Sequence, residues 1–139
     1  EVLRRGRILA IFPDGGVSYN LLSRPKNGAV YLSAIGKAPI VPIGIYGAER
    51  AWEGVLKGVR SRVNINIGKP FGPYTLSGTK DDKDKKLNAI GDEMMCRIAS
   101  LLPNNRQGPF SGHHKIKTYQ RENGILPSPQ PFFKEMPEE

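Results

Sequence analysis

Two short apolar runs flanking a helical pattern constrain what this chain can fold into more than any other feature. They are Arg7-Ile-Leu-Ala-Ile-Phe12 and Pro39-Ile-Val-Pro-Ile-Gly-Ile-Tyr46. Each is short, rich in isoleucine and bounded by glycine or proline, so each reads as a strand buried on both faces. Between them, Lys26 to Lys37 sets Val30, Ala34 and Ile35 on one stripe with Tyr31 and Leu32 beside it, and Gly36 can close the helix. Strand, helix, strand over 7–46 is a βαβ unit, which implies a parallel, right-handed pair. Pro42 cannot donate to a ladder, so it predicts an edge, a bulge or a strand end within the second run.

The rest of the chain extends this pattern. Leu3-Arg-Arg-Gly6 reads as the end of a preceding element, with Gly6 in the turn. Val17 to Pro25 reads as loop, and Ala48 to Gly58 as a connection containing Trp52. Arg62-Val-Asn-Ile-Asn-Ile67 alternates strictly and predicts a half-buried strand with Val63, Ile65 and Ile67 inward. Thr79 to Lys86 is a polar entry that Asp81 or Asp84 can cap. Leu87, Ile90, Met94, Ile98, Leu101 and Leu102 recur at helical spacing and predict an amphipathic helix over 85–102. Pro103 stops it. No period follows, and prolines recur to Pro137, so 104–139 is expected to be an irregular, proline-rich tail. The expected fold is α/β, a mixed, largely parallel sheet flanked by helices, formed by residues 1–103.

Apolar residues are 38% of the 139, too many for a disordered chain. The single cysteine, Cys96, excludes a disulfide framework and a cysteine-based zinc site. The longest uncharged apolar-rich stretch, Ala38 to Ala48, is far below the roughly 20 apolar residues that a membrane span needs. Ile8 to Phe12 is likewise too short for a signal peptide's apolar region. The net charge of +8 is uneven. Residues 1–70 hold eleven Lys/Arg against four acids, and residues 71–139 hold ten against nine. Such a surplus favours an anionic partner: nucleic acid, lipid headgroup or phosphorylated substrate. The bland alternative is a merely soluble basic surface. The nucleic-acid reading lacks interleaved aromatics and any reader motif.

The turn after the first run, Phe12-Pro-Asp-Gly-Gly-Val-Ser18, is the most informative place for chemistry. Ligands of open α/β sheets bind at the carboxyl ends of strands. The adjacent Gly15 and Gly16 let backbone N–H groups point at an anion, and Lys26 follows at the start of a helix, whose dipole also favours negative charge. Other residues read more plainly. His113 and His114 have no metal-ligand partners at set spacing. Cys96 reads as a small core residue. Ser18 lacks the Gly-x-Ser-x-Gly context of a nucleophile. Trp52 reads as a core or loop anchor, with a membrane-facing surface as the alternative.

Leu3-x-x-Gly6, the Phe12-Pro13-Asp14-Gly15-Gly16-Val17-Ser18 turn, Lys26-x-Gly28-Ala29, Pro39-Ile-Val-Pro-Ile43 and the Gly68-x-Pro70 strand end resemble, in order and spacing, the 1-acylglycerol-3-phosphate acyltransferase family. The resemblance covers residues 3–70, about half the chain. It implies transfer of an acyl group from acyl-CoA or acyl carrier protein to a lysophospholipid-type hydroxyl, with no other cofactor. It implies that Asp14, Gly15, Gly16, Ser18 and Lys26 form the acceptor and phosphate site. It also implies a cytoplasmic protein in peripheral contact with an anionic membrane surface. Asp14 stands where the family has Glu, Gly16 where it has Thr, and Val17 where it has a phosphate-binding Arg, for which Arg24 offers compensation. The family's catalytic His-x-x-x-x-Asp cannot occur here, because both histidines follow every aspartate. With Glu1 rather than Met in first place, the chain is expected to be a trimmed or partial protein, with that motif upstream. Alone it is expected to be inactive. The alternative is a non-catalytic anion- or lipid-headgroup-binding domain.

Overall fold

The computed structural model describes residues 1–15, 21–48, 56, 58 and 62–128. Among these, three helices and one two-stranded sheet appear in the order α1 (Gly28–Gly36), β1 (Ile43–Tyr46), β2 (Asn64–Ile67), α2 (Lys80–Ala99) and α3 (His114–Asn123). The long helix α2 is the organising element, and its buried face carries Ile90, Met94, Met95, Cys96 and Ala99. Val30 of α1, Phe71, Phe110, and Ile116 and Tyr119 of α3 pack on it to complete the core.

The expected parallel sheet is overturned. β1 and β2 pair antiparallel, with Ile43 opposite Ile67 and Ile45 opposite Ile65. The pairing continues outward: Gly68 donates to the Pro42 carbonyl at 2.9 Å, and Ile40 and Phe71 exchange bonds of 2.9 and 3.0 Å. The second apolar run therefore pairs with the alternating segment, not with the first run. Pro42 marks the start of β1, as a residue without an N–H must. Residues 7–12 form no strand. Instead, the residues flanking them are held at Gly36 of α1 and at Lys26, two residues before it. Leu3 packs where Gly36 has no side chain, and Lys26 N–H donates to the Pro13 carbonyl at 2.7 Å. Held in this way, the run pairs with neither strand of the described sheet, and Ile8 and Phe12 stay 94% and 81% exposed.

The alternating segment is a strand, but its facing is reversed. Val63, Ile65 and Ile67 point outward, while Asn64 and Asn66 turn toward the end of α2. Two contacts enforce this. Asn66 Nδ2 donates to the Leu101 carbonyl at 2.9 Å, and a Cβ on Gly44 would lie 2.9 Å from that same oxygen. Only a glycine face can approach the helix end so closely. The outer face is left with Ile43, Ile45, Ile65 and Ile67 in two directly opposed pairs.

α1 matches the helical pattern of the sequence, but it buries Val30 and Ser33 and leaves Tyr31, Leu32 and Ile35 half exposed. α2 begins at Lys80, five residues before the expected start at 85. Thr79 caps it: its hydroxyl accepts from Asp82 N–H, and Asp82 accepts from Thr79 N–H at 3.0 Å. That is a complete capping box, formed at Thr79 rather than at Asp81 or Asp84. The helix ends at Ala99, and Leu101 and Leu102 close into tighter turns, N–H to the Ile98 and Ala99 carbonyls.

The irregular tail is also corrected over its described part. Residues 104–106 and 108–110 form single 3-10 turns, and α3 follows. Only Ile116 and Tyr119, three apart, are buried on α3, too few to show as a period in the sequence. Its ends are well specified: His113 Nδ1 accepts from Lys115 N–H, and Gly124 closes it at φ 65°. Prolines 129, 131 and 137 lie outside the described residues, as does Trp52.

Candidate functional site

The described part of the turn singled out by sequence, Phe12 to Gly15, is met by Lys26, two residues before α1. Gly15 takes φ +64°, a left-handed conformation that costs an L side chain about 1–2 kcal/mol and glycine little. Its N–H donates to the Phe12 carbonyl at 3.3 Å, closing the turn on itself. That donor is therefore engaged within the turn rather than left free for an anion. The backbone bond from Lys26 to Pro13 then draws the lysine over the turn. A Cβ on Gly15 would meet Lys26 Cδ and Cε at 2.6 Å and Nζ at 3.0 Å. The bare α-carbon of Gly15 is thus the seat of the lysine stem.

Lys26 is exposed, and among the described residues it forms no ion pair. Asp14 is partly buried beside it and likewise forms none. α1 starts two residues after Lys26. Its N-cap, Asn27, makes no capping bond; the side-chain amide donates instead to Asn88 of α2 at 2.6 Å. The first N–H groups of α1 are thus uncapped by any side chain and add positive potential next to the ammonium. A ready lysine, a positive helix end and a glycine turn together favour an anion such as a phosphate monoester. Asp14 repels an anion and suits a role in ordering the turn. So the structure brings Asp14, Gly15 and Lys26 together. Gly16, Val17 and Ser18 lie outside the described residues. Arg24 is exposed two residues before Lys26.

Two further groupings escape a reading by sequence. Tyr31, Ile35 and Lys37 of the α1 end face Tyr74, Leu76 and Lys83 across an open groove of about 430 Å³. Lys37 holds φ 49° as the residue that stops α1. Gly36 precedes it by one position, so the sequence puts the stop at the wrong residue. The second grouping centres on Arg97, whose guanidinium lies 4.7 Å from the Phe71 ring centroid and 4.3 Å from that of Tyr119. It pairs with Glu93 at 2.9 Å, and Glu93 accepts from Tyr74 at 3.1 Å. Burial and the Glu93 carboxylate push the Tyr74 hydroxyl up to about 12. Arg97 Nη1 also lies 3.7 Å from Glu122 of α3, so this cluster ties α2 to α3 and is structural.

No group of three or more His, Cys, Asp or Glu side chains that could hold a metal ion exists among the described residues. His113 and His114 stack at 4.4 Å, and His113 serves as the helix cap. Cys96 is buried in the core, and that burial raises its thiol. No helix among the described residues is long and apolar enough to cross a membrane. Compared with protein-family models, curated proteins and solved structures, the chain matches none.

Proposed function

We propose that this chain supplies the acceptor-headgroup site of an acyl transfer, in which acyl-CoA or acyl carrier protein gives its acyl group to the hydroxyl of a lysophospholipid-type acceptor at a membrane surface. The observation that carries the reading is the seat of Lys26 on Gly15 inside the Phe-Pro-Asp-Gly turn, the same turn on which the resemblance to glycerolipid acyltransferases rests. In such a reaction the acceptor oxygen loses its proton to a base and attacks the thioester carbonyl, and the thiol leaves with a proton. The 139 residues contain no His-x-x-x-x-Asp to supply that base. Their contribution is binding: the ammonium and the uncapped end of α1 hold the phosphate, and the turn fixes where it sits.

That missing motif also favours a second reading, a headgroup-binding domain without catalysis. One pair of experiments tests both. Calorimetric titration with a short-chain lysophosphatidate below its micelle concentration, and with the matching uncharged monoacylglycerol, reads the site. Lys26→Ala should weaken only the phosphorylated ligand, by about tenfold, the size of one charge-assisted contact. Equal effects on both ligands, or no effect on either, would overturn the site. An acyl-transfer assay on the 139-residue chain should show no turnover above background, and turnover would overturn the division between binding and catalysis.

A further inference from the structure

We infer that the groove between the end of α1 and residues 73–76 is the seat of this chain's own segment 129–139, held there by its paired phenylalanines and its acids. The groove is a recess of about 430 Å³. Tyr31, Ala34 and Ile35 line it from α1, and Pro73, Tyr74 and Leu76 line it from the loop. The loop side is held in place. The Tyr74 hydroxyl donates to Glu93 at 3.1 Å, its ring meets Phe71 edge-on, and Lys86 Nζ donates to the Thr75 carbonyl at 2.7 Å. Lys37 and Lys83 also line the groove; both are exposed, and neither forms an ion pair among the described residues. No acid is among the described residues that line it. Aromatic and aliphatic walls with two unpaired cations select an occupant that combines apolar side chains with negative charge.

Residues 129–139 lie outside the described residues, and their sequence has that composition. Phe132 and Phe133 are adjacent, and Glu135, Glu138 and Glu139 outnumber Lys134. Prolines at 127, 129 and 131 favour an extended chain, the form that aromatic-lined grooves receive. The reach is sufficient. Lys69 N–H donates to the Asn123 side chain at 2.8 Å, which puts the end of α3 beside Lys69. Pro73 is four residues beyond Lys69 and so lies within about 14 Å of it. Ile125 is tied back to the Gln120 carbonyl at 3.2 Å. From there to Phe132 the chain can span about 23 Å. Other occupants lack the charge. Residues 49–61 hold three cations against two acids, and a second copy of this chain brings a net +8 against +8. The seat is separate from the Lys26 turn, which precedes the opposite end of α1.

The test attaches a nitroxide spin label to the full chain through Met136→Cys and reads amide signals with no ligand present. Cys96 is buried, so the new thiol alone takes the label. Signals of Tyr31, Ile35, Lys37 and Leu76 should be broadened most. Phe132→Ser combined with Phe133→Ser should lower the ratio of docked to free segment about tenfold or more, from the apolar area returned to water, and restore those signals. Lys83→Glu should lower the ratio about threefold, the size of an exposed ion pair, and raising the salt from about 0.05 M to about 0.5 M should act in the same direction. Lys26→Ala should leave the broadening unchanged, which separates this seat from the headgroup site. Broadening that is spread over all exposed amides, centred on Ile43 and Ile65 of the outer sheet face, or unchanged in the phenylalanine variant would overturn the assignment. So would the same broadening in an isotope-labelled copy without the nitroxide, mixed with the spin-labelled chain, since the occupant would then be a second copy's segment.

Discussion

Gly15→Ala separates two consequences that the turn ties together. The methyl group meets a backbone at φ +64° and a lysine stem at 2.6 Å. The first is a stability cost: an L residue held in the left-handed region loses about 1–2 kcal/mol. The collision itself adds little, because Lys26 is exposed and its stem can swing aside. Urea unfolding followed by circular dichroism should therefore show the midpoint falling by about 0.5–1 M, given slopes of about 1–3 kcal/mol/M for small domains. The second is a loss of function. A displaced lysine no longer holds its ammonium over the turn, so affinity for a short-chain lysophosphatidate should fall nearly as far as in Lys26→Ala, about tenfold. The double variant distinguishes the two. In binding it should resemble Lys26→Ala alone, because both changes remove the same contact. In stability the backbone cost should persist without the lysine. Wild-type affinity in Gly15→Ala, or additive losses in binding, would refute the packing argument.

Three other perturbations probe the frame around the site. Arg97→Met keeps the stem but loses both ring contacts and the Glu93 pair, and should cost about 2–4 kcal/mol by urea unfolding; a loss below about 0.5 kcal/mol would show the cluster is incidental. Gly44→Ala drives a methyl into the Leu101 backbone and should cost about 1–3 kcal/mol, whereas Ile65→Thr, on the open face, should stay within about 0.5 kcal/mol; the reverse order would put the sheet's buried side on the isoleucines. The Asp82 carboxyl is held below its usual value by the Thr79 hydroxyl and then the Thr79 amide. A lowered carboxyl contributes stability above its ordinary range and loses it as pH falls through the lowered value. Asp82→Asn should therefore flatten part of the acid-side decline in unfolding midpoint, and an unchanged slope would argue against the capping box.

The elements that sequence revealed were those whose signal is local. α2 carries four of the six apolar positions set at helical spacing, Leu87, Ile90, Met94 and Ile98, and α1 ends near a glycine, so both helices were legible. The alternation of 62–67 marked a strand, since alternation needs only one strand to be seen. Which neighbour that strand takes, and which side faces in, are not local properties. Asn66 reaching Leu101, and Gly44 yielding room for that backbone, reversed the face that hydrophobicity alone points inward. The run 8–12 has strand composition, but its ends are claimed by Gly36 and Lys26. α3 was hidden because two buried side chains make no period; the glycines at 112 and 124 around Ile116 and Tyr119 were its only signal. At the candidate site, residue types and spacing marked Asp14, Gly15 and Lys26. The lysine's position over the glycine, and the use of Gly15 N–H inside the turn, depended on a backbone bond between Lys26 and Pro13 that no pattern encodes.

The central claim is that Lys26, seated on Gly15, holds a phosphate with its ammonium near the start of α1, and amide chemical-shift mapping with a short-chain lysophosphatidate tests it most directly. The account predicts the largest shifts at Asp14, Gly15, Lys26 and the first amides of α1, all abolished in Lys26→Ala. Shifts centred instead on Lys37, Tyr74 and Lys83, in the groove at the other end of α1, or shifts unchanged by Lys26→Ala, would contradict it.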